Sequence, residues 1–409
     1  MATPSAAVPF VQRTLAALHY RDFRVLWLGA FASTIGTWMQ KVAQSWLVFD
    51  LTQSTFYLGL DDFLGQLPIL LLTLVGGVVA DRHDRRRLLL GSQYTQMATA
   101  FALAALVFFG VVRVWHVLAL SFIAGLGQAF GGPAYQSLIP SLVERKHLPN
   151  AIALNSIQFN LARVFGPLLA GLAMMIGIAA CFAINGLSFL VVIVALMSLH
   201  VKHIRPVDRK PMLQEMKGGI AYARSQPSIL ALTVLAFLTT YLGLPLLTFL
   251  PVFVRDVFHQ EFGQLSIMMA YSGTGAVAGA LVVAWLGRFK HMGLTLLLVQ
   301  IAFGGLLTLF ALSRTLWLSH LLLFLAGAAL IVVFSMTSSL VQLIVPDDLR
   351  GRVVSIYMVA FRGGMPLGSL AAGYLATLSS APAVLAVNGG LIAAVAIYFL
   401  LRSHGVREL

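Results

Sequence analysis

Residues 76–112 read GGVVADRHDRRRLLLGSQYTQMATAFALAALVFFGVV, a short cluster of charges followed by a long apolar stretch. Between Arg87 and Arg113 there is no Asp, Glu, Lys or Arg, so the run from Leu88 to Val112 is free of charge over 25 residues. A helix rises about 1.5 Å per residue, and about 20 apolar residues therefore cross the hydrocarbon core of a bilayer. The segment predicts a basic loop followed by a membrane-spanning helix.

The rest of the chain has the same character. Of its 409 residues, 59% are hydrophobic and 10% are charged, whereas about 25% of the residues in an ordinary soluble domain are charged. Other charge-free runs, such as Val114–Val143 and Val164–Val201, are long enough for one or two spans. A soluble surface cannot be built from so few charges, so we predict an all-α integral membrane protein.

Dividing these runs at glycine, proline and charged residues predicts twelve transmembrane helices, and the even number places both termini on one side. The predicted spans are 24–49, 57–80, 88–112, 116–140, 150–176, 180–200, 228–254, 264–287, 293–312, 317–345, 353–376 and 382–402. The polar, basic stretch at 201–227 separates the sixth span from the seventh. We expect an N-terminal six-helix bundle at 1–200, a cytoplasmic connecting loop at 201–227 and a C-terminal six-helix bundle at 228–409.

The net charge of +13 is distributed unevenly. Of the 27 Lys and Arg residues, 21 lie on the side of the termini. The remaining six are three on the opposite side and three within spans: Arg113, Arg255 and Arg314, then Lys41, Arg163 and Arg362. By the positive-inside rule the termini are cytoplasmic. The basic loops then set topology and contact anionic lipid, and no nucleic-acid partner is needed to explain them.

The segment GGVVADRHDRRR resembles the signature between the second and third helices of the major facilitator superfamily, and the resemblance covers nearly the whole chain. The matching residues are Gly77, Asp81, Arg82, Arg85 and Arg86, and Asp84 stands where the family pattern has glycine. The resemblance implies two pseudo-symmetric bundles and a latch on the outward-open state, in which a small residue at Gly77 permits close helix approach. The alternative interpretation is a plain basic loop.

A second segment, ARVFGPLLAG at 162–171, is similar to the pattern associated with antiporters in this superfamily. Gly166, Pro167 and Gly171 are in place. Proline removes a backbone hydrogen bond and glycine allows helices to approach, so the segment can bend and seal a path. Ordinary packing of small residues is the alternative.

Two further segments, STIGTWMQKVAQSWLVFDLTQS at 33–54 and PDDLRGRVVSIYMVAFRGGMPLGSLAAG at 346–373, resemble the branch with macrolide-type drug exporters and the enterobactin exporter. The resemblance implies a monomeric secondary transporter of the bacterial inner membrane. It would export amphiphilic, drug-like or siderophore-like molecules in exchange for protons by alternating access. Ser121 stands where many other proton-coupled drug exporters have an arginine in the fourth helix.

Polar residues inside the spans are expensive and are therefore candidates for function. The candidates for the substrate cavity are Gln44, Gln128, Asn155, Gln158, Arg163, Tyr241 and Arg362. Arg163 and Arg362 can instead bond to neighbouring helices. An aromatic lining suited to a lipophilic substrate is available from Trp38, Trp46, Phe130, Tyr135, Tyr241, Phe249 and Tyr357, but we expect most of these rings to serve as packing or as anchors at the membrane interface.

Asp61 and Asp62 open the outer part of the second span, and Lys41 and Gln44 share a face of the first. Burial and a second negative charge both favour a protonated carboxyl group. We expect Asp61 or Asp62 to carry the proton and Lys41 to compete with it. An ion pair at the external edge, or solvated carboxylates, is the alternative.

Other classes of function lack their sequence signals. The single cysteine, Cys181, excludes an intrachain disulfide, and the histidines do not have the spacing of metal ligands. We expect no removable signal peptide, no cofactor, no metal and no enzymatic activity, and the absence of a Walker loop argues against direct use of ATP. Lipid or lysolipid transport and a non-transporting receptor or scaffold stay open as alternatives.

Overall fold

In a computed structural model, residues 15–200, 222, 224–346, 349–402 and 405–409 are described, and their regular structure is helical. The first six long helices are α1 (Arg21–Thr52), α2 (Thr55–Arg82), α3 (Arg85–Phe108), α4 (Val114–Leu138), α5 (Leu148–Met174) and α6 (Ile178–Met197). The later helices are α7 (Pro227–Gly243), α8 (Pro245–Val252), α9 (Phe262–Leu286), α10 (Met292–Leu312), α11 (Leu316–Ile344), α12 (Arg350–Leu378) and α13 (Ala381–Arg402). The predicted connecting loop at 201–227 lies almost entirely outside the described residues.

The helices have the composition of membrane spans. Among the described residues, ten helical segments are long and apolar enough to cross a bilayer, with α7, α8 and the π-helical turn Phe253–Val257 counted as one. The helices α1 and α3 are not among the ten, because polar residues such as Gln40, Lys41 and Gln96 lower their hydropathy. The predicted class of helical multi-pass membrane protein is confirmed, while the count of twelve spans and the cytoplasmic termini stay predictions.

The helices pack in two groups. Within α1–α6, α2 packs on α4 and α1 packs on α6, and within α7–α13, α9 packs on α11 and α10 packs on α13. The main contacts between the groups join α2 to α12 and α5 to α9. The groups therefore meet along two helix pairs.

The two ends of the molecule differ in how these groups meet. We call the end with Tyr20, His83 and Val406 the terminus end, and the end with Thr52, Arg255 and Glu261 the far end. At the far end, residues of both groups form one apolar core. At the terminus end, each group has an apolar core of its own. The groups are consequently joined at the far end and separate towards the terminus end.

Glycine allows the closest approach between the groups. A Cβ atom built on Gly59 of α2 would overlap the carbonyl oxygen of Ser369 on α12, and one on Gly373 would lie 2.8 Å from the carbonyl oxygen of Thr55. Across the second helix pair, a Cβ atom on Gly273 of α9 would lie 2.8 Å from the carbonyl oxygen of Arg163. Larger side chains at these positions would force the groups apart.

Candidate functional site

A cavity of about 770 Å³ lies between the two groups of helices. At the far end it reaches Ser45, Leu58 and the acidic pair Asp61 and Asp62, and towards the terminus end it reaches Leu89 and Gln136. This volume is in the range of small-molecule sites. The cavity is therefore the candidate binding site.

Asp61 is held entirely by residues of the first group. The hydroxyl of Ser121 on α4 donates to its Oδ1 at 2.5 Å, and Nε2 of Gln44 on α1 donates to its Oδ2 at 2.8 Å. Gln44 also donates to Oγ of Ser121 at 2.8 Å. Hydrogen bonds of this kind satisfy a buried carboxylate without a partner from the second group.

Asp62 joins the two groups. Its Oδ1 lies 3.5 Å from Nζ of Lys41 on α1, and its Oδ2 accepts a hydrogen bond of 2.7 Å from the hydroxyl of Ser369 on α12. The Ser369 hydroxyl lies 3.3 Å from Oγ1 of Thr248 on α8. A second contact between the groups, closer to the start of α2, is the hydrogen bond of 3.1 Å from Thr55 to the carbonyl oxygen of Gly373. Asp61 thus binds within the first group alone, whereas its neighbour Asp62 links the first group to the second.

The structure brings together the residues that were predicted for proton coupling. Lys41, Asp61 and Asp62 all line the far end of the cavity, together with Gln44, which was predicted as a cavity residue. The sequence did not identify Ser121, Ser369 or Thr248 as their partners. The sequence held a signal for Ser121, because this residue stands where many other proton-coupled drug exporters have an arginine. It held none for Ser369 and Thr248, because they belong to the other half of the chain.

Most of the predicted cavity residues line the cavity, but two do not. Gln128, Asn155, Gln158 and Arg362 are in the lining. Tyr241 lies outside it and stacks on Phe237 with ring centroids 5.6 Å apart.

Arg163 is also outside the lining. Its guanidinium is buried 5.7 Å from the ring centre of Trp38, and its Nη2 has no hydrogen-bond partner among the described residues. Bonding of this side chain to helix carbonyls, one of its two predicted roles, is not among the hydrogen bonds of the described residues.

Of the seven aromatic residues available for a lining, two line the cavity and five do not, as expected if most of them serve in packing or as interface anchors. Trp38 and Tyr135 line the cavity, whereas Phe249 and Tyr357 are buried in the apolar cores. The remaining three residues outside the lining are Trp46, Phe130 and Tyr241. The rotation of each helix about its axis decides which side chains reach the cavity, and the sequence does not fix that rotation.

The signature segment at 76–87 begins inside α2, and the structure corrects the role predicted for Gly77. A Cβ atom on Gly77 would meet nothing within 4 Å, so this residue is not the point of close approach. Instead, a Cβ atom on Gly76 would overlap the carbonyl oxygen of Ala129 on α4. One residue along a helix turns its side by about 100°, which explains the difference.

The charged part of this segment binds the first group together. Asp84 caps α3, because its Oδ1 accepts from the backbone nitrogens of Arg86 and Arg87 at 2.9 and 3.2 Å. Arg85 donates to the carbonyl oxygen of Ser137 at 2.9 Å, and Arg86 to that of Met197 at 2.6 Å. Arg82 is exposed, and the side chain of Asp81 lies outside the described residues.

The second segment, in α5, faces two neighbours. A Cβ atom on Gly166 would lie 2.9 Å from the carbonyl oxygen of Ile35 on α1, and one on Gly171 would lie 3.3 Å from Cβ of Ser266 on α9. Pro167 is inside the helix between them. The segment therefore packs within the first group at Gly166 and against the second group at Gly171.

A family model described as transmembrane secretion effector matches residues 12–408. The chain is 24% identical over 348 residues to the staphyloferrin A transporter of Staphylococcus aureus, covering 83% of this chain and 86% of that protein. It is 24% identical over 274 residues to macrolide efflux protein A of Streptococcus pyogenes, covering 66% and 67%. It is 23% identical over 372 residues to the enterobactin exporter EntS of Citrobacter koseri, covering 90% and 89%.

Among solved structures, the chain is similar to a nucleoside transporter, NupG. The match covers 93% of this chain and 98% of NupG, with a TM-score of 0.75 and 14% sequence identity. At this identity the likeness concerns the fold alone.

Proposed function

The chain belongs to the transmembrane secretion effector family of the major facilitator superfamily, and from this premise we propose that it is a proton-coupled exporter. Its relatives are transporters, and its substrate is a small molecule carried across the membrane that embeds it. The proposed cargo is an amphiphilic, drug-like or siderophore-like compound. The proposed setting is the bacterial inner membrane, with the protein as a monomer.

Alternating access is supported by the difference between the two ends of the molecule. With the termini in the cytoplasm, the joined far end closes the outer side and the cavity faces the cytoplasm, where an exporter loads its cargo. Rocking one group of helices against the other would open the far end and close the terminus end. The residues proposed as gates are Asp81, Arg82, Arg85 and Arg86 at the terminus end and Gly166, Pro167 and Gly171 in α5.

The observation that carries the proposal is the contact of Asp62 with both groups of helices. Its carboxylate binds Lys41 of the first group and Ser369 of the second, so its charge stabilises the closed far end. While the far end is open, the carboxyl group takes up a proton from the outside, which removes that charge and frees Lys41. In the cytoplasm-facing state Lys41 competes with the proton, which leaves the carrier, and the cycle starts again.

The proposal is tested by proton release from protein reconstituted in liposomes. A panel of amphiphilic compounds is added, and we expect at least one to release protons in proportion to its binding. The Asp61→Asn and Asp62→Asn double variant should bind without releasing protons, whereas Glu144→Gln, which changes an exposed carboxylate outside the cavity, should behave like the parent. Binding without proton release in the parent protein would overturn the coupling.

The two alternatives give different results in the same liposomes. A lipid or lysolipid transporter would move a fluorescent lysolipid without a pH gradient. A receptor or scaffold would bind compounds without moving them and without any substrate-dependent flux of protons.

A further inference from the structure

The wall of the cavity is rich in carboxamide groups. Ten of the lining residues that the structure describes are Gln or Asn, and they are Gln40, Gln44, Gln66, Gln93, Gln96, Gln128, Gln136, Asn155, Gln158 and Asn185. All of them belong to α1–α6. The second group contributes Leu247, Thr248, Met269 and Arg362. Binding pockets for drug-sized molecules are usually more apolar and have only a few polar groups.

The charges of the lining are balanced. Lys41 and Arg362 stand against Asp61 and Asp62 among the lining residues that are described. Lys41 is paired with Asp62, and Asp61 accepts two hydrogen bonds from neutral side chains. The lining therefore carries no net charge while both carboxyl groups are ionised.

Two glutamine side chains of the lining have a carbonyl oxygen that accepts no hydrogen bond from the described residues. The Oε1 atoms of Gln93 on α3 and Gln158 on α5 are buried and have no hydrogen-bond partner within the described parts of the chain. Gln158 is only 3% exposed, and its Nε2 is occupied by Thr34 at 3.2 Å. An unfilled buried acceptor is costly, and a ligand that donates an O–H or N–H group removes this cost when the side chain turns its oxygen towards the cavity.

An aromatic surface lies on the same side of the cavity as Gln158. The rings of Trp38 and Phe159 both belong to the lining and meet edge to face with centroids 6.0 Å apart. Phe159 is 53% exposed. Such rings bind the apolar face of a flat or ring-shaped ligand while polar groups at its rim reach the carboxamides.

We propose that the cavity takes a neutral amphiphile that carries several hydroxyl groups on a ring, that is, a glycoside or cyclic polyol. The ring packs on Trp38 and Phe159, and its hydroxyls donate to Gln93 and Gln158. This inference rests on the proposed function and narrows its substrate class. It disfavours anionic cargo, because the two cations of the lining are already matched by two carboxylates.

The first test compares three probes that share the 4-methylcoumarin ring system, by equilibrium dialysis against the protein in phosphatidylcholine nanodiscs, corrected with empty nanodiscs. The probes are 4-methylumbelliferyl glucoside, which is neutral and hydroxylated, 4-methylumbelliferyl glucuronide, which adds a carboxylate, and 7-ethoxy-4-methylcoumarin, which has no hydroxyl. Each hydrogen bond to a matched acceptor changes affinity about two- to twelve-fold. We expect the glucoside to bind more tightly than the ether by about tenfold or more, and more tightly than the glucuronide.

The second test uses Gln93→Leu and Gln158→Leu. Each change removes an unfilled acceptor, so we expect about a two- to twelve-fold loss of glucoside affinity, an unchanged affinity for the ether, and a melting temperature that is not lowered. The control is Gln342→Leu on the exposed surface of α11, which should leave all three affinities unchanged. If a variant fails to fold, the three probes on the parent protein still decide.

Equal binding of glucoside and ether, or tightest binding of the glucuronide, would overturn the substrate class. These dialysis experiments use no pH gradient, so their outcome is independent of proton coupling. Glucoside binding without proton release would remove the proposed coupling and leave the substrate class standing. Proton release with other compounds, together with equal binding of the glucoside and the ether, would remove the substrate class and leave the proposed coupling standing.

Discussion

The same two groups of helices are joined at one end of the molecule and separate at the other. At the far end, Phe49 and Leu58 of the first group share an apolar core with Phe249 and Met268 of the second. At the terminus end, Leu26 and Leu340 belong to separate cores, one in each group. Because each group keeps a core of its own, the groups can rotate as bodies and exchange only the contacts between them.

The contacts that hold the far end closed are of several kinds. Close glycine packing, a hydrogen bond to a carboxylate and an exposed ion pair contribute in different ways, and each can be broken separately. Their removal should shift the equilibrium between the two states by different amounts.

The largest effect is expected from Asp61→Asn together with Asp62→Asn. Without a carboxyl group at the floor of the cavity, pH-driven transport should fall to the level of protein-free liposomes, since no group there exchanges a proton with the gradient. The measurement is uptake into inverted proteoliposomes under an imposed pH difference. Transport that persists in the double variant would show that the proton pathway lies elsewhere.

A large effect is also expected from Gly59→Ala. The new methyl group would overlap the carbonyl oxygen of Ser369, and overpacking of this kind costs about 1–3 kcal/mol, or about a 5- to 160-fold shift towards the state with an open far end. Accessibility of a cysteine at the far end to a membrane-impermeant reagent measures the shift.

The matched control for this change is Gly305→Ala on α10, because a Cβ atom there would meet nothing within 4 Å. Gly305→Ala should leave cysteine accessibility unchanged. Equal accessibility in the two variants would mean that the crossing of α2 and α12 does not limit the opening.

A smaller effect is expected from Ser369→Ala. It removes the hydrogen bond of 2.7 Å to Asp62, and a hydrogen bond between membrane helices contributes about 0.6–1.7 kcal/mol, or about a 3- to 18-fold shift. Ser121→Ala is the comparison, because Ser121 binds Asp61 within the first group and does not cross to the second. Cysteine accessibility should change in Ser369→Ala alone, and the same change in both variants would contradict the assignment.

The smallest effect is expected from Asp50→Asn. Asp50 and Arg255 form an ion pair of 2.7 Å across the far end, with side chains 55% and 38% exposed. Exposed ion pairs contribute about 0.2–1 kcal/mol to stability. Salt weakens them, because the Debye screening length falls to about 3 Å at 1 M ionic strength. The variant should open the far end slightly at low salt and match the parent at high salt, so a difference that persists at high salt would require another explanation.

The positions of the helices could be predicted from the sequence because the length of an apolar run is a local property. The ends of the predicted spans differ from the observed helix ends by at most four residues when α7, α8 and the turn Phe253–Val257 are taken together as the seventh span. The meeting of Lys41 and Gln44 with Asp61 and Asp62 was also predictable, because both pairs lie at the outer ends of consecutive helices.

The partners of these residues were not predictable from one sequence. Ser369 reaches Asp62 because α12 packs on α2, and this pairing depends on how the two halves of the chain dock. Helix rotation likewise explains why Gly76, and not Gly77, makes the close approach to α4. The same freedom explains why the sequence could not tell which aromatic rings and which carboxamides reach the cavity.

The central claim is that a proton at the acidic pair switches which end of the molecule is closed. Distances between spin labels test it most directly, with one pair at residues 109 and 260 of the far end and another at residues 144 and 290 of the terminus end, in a Cys181→Ala background. On lowering the pH, the far-end distance should lengthen and the terminus-end distance should shorten, and the Asp61→Asn and Asp62→Asn double variant should lose this response. Distances that stay fixed, or that both change in the same direction, would contradict the account.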